Sequence, residues 1–193
     1  MIAASSSAVT PAVITASASV LAAASVFVAN LIIQSRNERR QTALARVNAQ
    51  LRDLYGPLIA MVSANENLWQ AMRKSILPSR DQRRSGALTA EHAEEWRYWL
   101  QQALMPANIK MRDVILQHAD LMIGDDLPQV MQEFCSHVAA YEVLLARGAE
   151  QNWSFKRSLI PHPGPSFAEY IQTSFATLKA RQAALSKGDR PAH

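Results

Sequence analysis

Between Met1 and Ser35 the chain has no Asp, Glu, Lys, Arg or His. A surface helix of a globular protein keeps a polar face, recurring every three or four residues, so an ordinary amphipathic helix is excluded here. There is one cysteine, Cys135, which rules out an intrachain disulfide and any CxxC or Cys/His zinc spacing. No period-2 strand pattern is present, and there is no Gly-x-Ser-x-Gly, P-loop or dinucleotide fingerprint, nor a β-α-β frame to hold one. The net charge of +4 is modest and partly juxtamembrane, so a pI near 9.5 is weak support for nucleic acid.

What the uncharged stretch does contain is an apolar run, residues 11–33, of about 23 residues or roughly 35 Å as helix. That is enough for a hydrocarbon core of ~30 Å. Pro11 suits a first helical turn, where its missing N–H has no intrahelical partner to lose. A cleavable signal is the alternative, with small residues at Ala16-Ser17-Ala18, but no basic residue precedes the run. A buried helix is the other alternative, although Val20–Ile33 offers only Ser25 and Asn30 as polar positions. Arg36, Arg39, Arg40 and Arg46 follow at once, so the positive-inside rule predicts a single-pass anchor, N-terminus outside and the rest cytoplasmic.

The expected organisation is a short tail (1–10), a transmembrane helix (11–33), a cytoplasmic helical domain (34–186) and a disordered tail (187–193). Leu44, Val47, Leu51, Leu54, Leu58, Met61, Asn65, Leu68 and Met72 step by three and four, as a core-facing stripe or a coiled-coil seam does. Pro57 within it predicts a kink near Asp53–Tyr55, while the unchanged phase predicts a roughly continuous helix. Lys74–Ala87 reads as a loop. Thr89 is a candidate N-cap with His92 where a capping box usually has Glu. Helices are expected to about Leu104, over Ala107–Ile123 after Pro106, from about Leu127 to Ala146, and over Phe167–Leu185 after a Ser166-Phe167-Ala168-Glu169 cap. The fold class is therefore all-α, with the transmembrane helix continuing into a bundle of four to five helices.

The combination Leu54-Tyr55-Gly56-Pro57-Leu58, Met105-Pro106-Ala107-Asn108, Phe134-Cys135-Ser136-His137 with Tyr141-Glu142, and Phe175-Ala176-Thr177-Leu178 resembles a loose group of bacterial membrane-anchored proteins of unknown function. The likeness covers most of the chain from Arg46 onward. It implies a bacterial inner-membrane setting and carries no activity.

Candidate chemistry is sparse. Glu133 and His137 are four apart on one helix, with His118 and Asp120 on the preceding one, yet the paired Glu-x-x-His of a di-iron bundle is missing. Cys135 borders a core face with nothing to lower its pKa. Trp96 and Trp99 share a face that Tyr98 does not. The basic loop holds Arg73, Lys74, Arg80, Arg83 and Arg84 against Asp81. On a straight helix it would stand roughly 55 Å from Arg36, beyond a Debye length of ~10 Å, which disfavours lipid and leaves a solvated loop or a partner-binding surface at Arg80, Arg83 and Arg84. No catalytic residue, metal or cofactor is assigned. The sequence reads as a membrane-tethered helical interaction or scaffolding protein, more naturally a non-enzyme, with the bilayer and a protein as partners, a homodimer as a variant, and nucleic acid disfavoured. The alternative is a membrane-anchored enzyme or small-ligand or metal sensor with its site near His118, Glu133 and His137, beneath the Pro161–Pro165 loop.

Overall fold

The structure, a computed structural model, describes the backbone of residues 9–78, 81, 89–124, 126–148 and 159–187, and the side chains of these except residues 9–21 and Gly148. Its elements are α1 (Val9–Ala49), a π turn at Gln50–Tyr55, α2 (Gly56–Ser75), α3 (Ala90–Trp99), a second π turn at Leu100–Leu104, α4 (Met105–Gln117), a 3₁₀ turn at Ala119–Leu121, α5 (Gln129–Gly148) and α6 (Pro165–Lys187). Among the described residues every element is helical. The chain divides into two compact units, one ending at Ala45 and one beginning at Arg46.

In the first unit, Val26, Phe27, Val28, Leu31, Ile32 and Ile33 remain 48–63% exposed. Gln34 donates to Glu38 one turn on, at 3.1 Å. Among the described residues no helix is long and apolar enough to cross a membrane. The side chains of residues 11–21, which open the expected span, lie outside that set, as does the tail 1–8.

The second unit is a four-helix bundle, at the lower end of the four to five helices expected. Its members are the runs 46–75 and 90–117, each containing a π turn, with α5 and α6. α2 packs on α4 and α6, and α5 packs on the same two, which closes a ring around one core. From the expected stripe, Val47, Leu51, Leu54, Leu58 and Met72 are buried, and Met61 and Leu68 pack at its edge. Asn65, the stripe's polar interruption, bonds Asn108 of α4 at 2.9 Å.

Both π turns precede a proline, and the reason is the same. Proline cannot donate to the carbonyl four residues back, and its ring crowds that carbonyl. Widening the preceding turn moves the carbonyls away: Gly56 N–H donates to Leu51 O, five residues back, just before Pro57. Met105 N–H donates to Leu100 O in the same way, just before Pro106. The disturbance expected near Asp53–Tyr55 thus takes the form of a π turn. The break expected at Pro106 is absent, and α3 runs through the second turn into α4. The helix expected to reach Ile123 stops at Gln117, with His118 at its C-cap.

That early stop is held by polar contacts to the first π turn. Gln50 Nε2 donates to Leu121 O at 3.0 Å, and Ile123 N–H donates to the Tyr55 hydroxyl at 3.2 Å. The same hydroxyl meets Tyr170 Oη of α6 at 3.2 Å. Burial raises the Tyr55 pKa far above that of a free phenol. At the start of α3, His92 takes the part usually played by Glu: its N–H donates to Thr89 Oγ1, and Thr89 N–H donates to its Nδ1. α6 begins at Pro165, so Ser166 stands inside the first turn and not at the cap expected of it. The connection at 149–158, with Trp153 and Phe155, and the tail at 188–193 lie outside the described residues.

Candidate functional site

The second π turn borders an open interior. A cavity of about 510 Å³ lies between α2, the α3–α4 run, α5 and the start of α6. One wall is a helical face of α2: Val62, Asn65, Glu66, Trp69, Gln70 and Arg73, spaced by three and four. Opposite are Trp96, Leu100, Leu104, Met105, Asn108 and Met111, brought to one side by the π turn. α5 supplies Phe134, His137 and Tyr141, and the segment leading into α6 supplies His162, Gly164, Pro165, Phe167 and Ala168.

The walls combine aromatic, thioether and aliphatic side chains with several polar ones. Trp69 and Trp96 meet edge to face, ring centres 5.8 Å apart. Phe134 and Phe167 stack at 4.1 Å and are buried. Aromatic rings and methionine sulfur offer a polarisable lining suited to planar apolar groups. Asn65 Nδ2 donates to Asn108 Oδ1, while Glu66 and Arg73 bring one charge of each sign along the α2 wall.

Two histidines complete the lining. His137 Nδ1 lies 2.7 Å from Ile160 O, and a carbonyl only accepts, so Nδ1 carries the proton and Nε2 is left with a lone pair. His162 is fixed in the opposite sense. Gly164 N–H donates to its Nδ1 at 2.8 Å, so the proton sits on Nε2. Gly164 has φ +64°, a conformation natural to glycine, and the turn it makes brings its N–H back onto the ring. The imidazoles are edge to face with centres 5.0 Å apart. Burial lowers the His137 pKa. Burial, and then the nearby His137, push that of His162 down to about 4, although by its solvent exposure His162 is an exposed residue. Both rings are neutral near pH 7.

Of the residues singled out by sequence, His137 and the Pro161–Pro165 segment meet at this cavity. His118 does not reach it; it caps α4, close enough to Asp53 to help lower that carboxyl's pKa, mainly set by Arg52. Glu133 is exposed and accepts a bond from Gln129 at 2.7 Å. No group of three or more His, Cys, Asp or Glu that could hold a metal occurs among the described residues. Cys135 is half-buried, its thiol pushed up by burial, and Arg112 of α4 pairs with Glu142 of α5 and with its neighbour Asp113. Arg80, Arg83 and Arg84 lie outside the described residues.

Trp96 lines the cavity, Trp99 donates to Glu95 at 2.7 Å, and Tyr98 is exposed. Sequence reasoning missed Trp69, Asn108 and His162 as site residues. Asn65 and Trp69 sit one turn apart on α2, so a polar residue in an apolar stripe next to a tryptophan was the available signal. His162 was visible inside Pro161-His162-Pro163-Gly164-Pro165, where so rigid a setting for one imidazole is itself informative. No family model, no curated protein and no solved structure matches this chain.

Proposed function

We propose that this protein is a membrane-tethered helical module that binds a small, mostly apolar ligand within its bundle. The observation that carries the reading is the cavity of about 510 Å³, whose walls combine aromatic and aliphatic side chains with placed polar groups such as Asn108 and His137. Ligand sites are typically concave, ~300–1,000 Å³, largely apolar and furnished with a small number of placed polar atoms. An apolar cavity of about 150 Å³ already accommodates benzene, so there is room here for a fused-ring molecule.

The tether rests on the uncharged stretch Met1–Ser35, the exposed apolar residues from Val26 to Ile33 and the arginines that follow. The resemblance to bacterial membrane-anchored proteins agrees with it and suggests an inner-membrane setting, N-terminus outside. In cell fractionation the chain should stay with membranes through alkaline carbonate washing, and a C-terminal tag should survive protease added to spheroplasts. Release by carbonate would remove the tether from the proposal; digestion of the tag would reverse its orientation.

The cavity is tested with quinoline and the full chain in lipid nanodiscs, empty discs serving as blank. Tryptophan emission should change saturably, and Ala168→Phe, which places a ring in the cavity, should abolish the change while the fold is retained by circular dichroism. A linear, non-saturating response equal in both proteins would overturn the ligand-binding reading.

A further inference from the structure

The two imidazoles give the cavity a polar edge of defined sense. His137 is 5% exposed, its Nδ1 is committed to Ile160 O, and its Nε2 has no hydrogen-bond partner among the described residues. His162 is an exposed residue; its Nδ1 is committed to Gly164, and its Nε2–H has no partner among the described residues. Buried polar atoms are nearly always satisfied by protein, water or ligand, so an acceptor left open in a room large enough for a molecule is a place where a ligand N–H can take the donor's part. Beside it stands an open donor on a ring centred 5.0 Å away.

We propose, building on the ligand-binding reading above, that the cavity takes an uncharged planar ligand whose polar edge carries a donor and an acceptor side by side, as a lactam or primary amide does. The ligand N–H is accepted by His137 Nε2, and its carbonyl accepts from His162 Nε2–H. The apolar body lies among Trp69, Trp96, Leu104 and Met105. Nothing in this arrangement favours a carboxylate or phosphate: the acceptor at His137 repels an anion, and Arg73 is balanced by Glu66 along the same α2 wall. A ligand with an acceptor alone would leave the His137 lone pair dry and unpaired, and so bind more weakly.

The test compares three ring-matched probes on the full chain in nanodiscs: 2-quinolinone, its N-methyl derivative and quinoline-2-carboxylate. The lactam should bind about tenfold or more tightly than the N-methyl compound, and the carboxylate should bind least. In His162→Phe both compounds should weaken, because each loses the donor to its carbonyl, and the lactam should keep its lead over the N-methyl compound through His137. Equal binding of the lactam and its N-methyl derivative, or tightest binding by the carboxylate, would overturn the assignment of ligand class while leaving the cavity as a binding site. Saturable binding of none of the three, nor of quinoline, would instead remove the ligand-binding reading itself.

Discussion

The two proline-bearing π turns make use of one device in different surroundings. At Gln50–Tyr55 the widened turn is plugged: Leu54 and Tyr55 are fully buried, and Gln50 and Tyr55 tie it to the α4–α5 connection. At Leu100–Leu104 the same widening faces the cavity, and Leu100, Leu104 and Met105 form its wall. The residue before proline differs too. A Cβ built on Gly56 would stand 2.3 Å from Leu51 O, whereas Met105 holds the equivalent position with a full side chain. A π turn is therefore not in itself a functional mark. The first joins two helices through a solid core; the second leaves room beside itself, and that room is the candidate site.

The largest contrast should come from truncating each joint. Leu54→Ala removes a side chain with no exposure and should cost about 3–5 kcal/mol, while Leu104→Ala, at a wall already short of packing partners, should cost about 2 kcal/mol, the lower end for such a truncation. Urea midpoints at unchanged m-value measure both, and equal losses would erase the distinction between plugged and open joints. Next is Gly56→Ala, ordinarily stabilising in a helix interior by about 1 kcal/mol. Here the backbone carbonyl blocks the added methyl, so a loss of about 1–3 kcal/mol is expected; a gain would mean the first joint is no tighter than the second.

Asn65→Ala leaves Asn108, buried against the cavity, without its partner and should cost about 1–3 kcal/mol. Converting both asparagines to leucine should recover most of that loss. Last is the effect of pH, which solvent screening at the exposed His162 reduces. The folded His162 pKa is near 4 against an ordinary 6.5, and that of His137 is lowered as well. The unfolded chain takes up these protons first, so the stabilisation is complete above about pH 6.5 and is lost as pH falls from there through about pH 4. His162→Gln should flatten that part of the stability profile, and an unchanged slope would contradict the neutral pair.

The all-helical bundle was legible because stripes at three- and four-residue spacing are written into the core, as Leu51, Leu54 and Leu58 show. Thr89 with His92 was legible as a cap because capping is local. Pro57 and Pro106 were legible as disturbances. Their resolution as π turns was not, because it depends on whether the partner helices favour keeping the axis running. The site was half visible. His137 and the Pro161–Pro165 segment were named, but Glu133 was grouped with them by its four-residue spacing from His137, and His118 on the assumption that the preceding helix reached Ile123. The contacts from Gln50 and Tyr55 that hold the α4–α5 connection span about seventy residues, and no local pattern announces them. Nor does sequence report empty space, since a cavity is set by which side chains fail to meet.

The central claim is that two oppositely protonated imidazoles line a ligand cavity, and nitrogen-15 NMR of the histidine side chains addresses it directly. With signals assigned through His137→Gln and His162→Gln, His137 should be protonated on Nδ1 and His162 on Nε2 near pH 7. Adding 2-quinolinone should then move the Nε2 resonances of both rings and leave their Nδ1 resonances nearly in place. Like tautomers in the two rings, or resonances unmoved at saturating 2-quinolinone, would contradict the account.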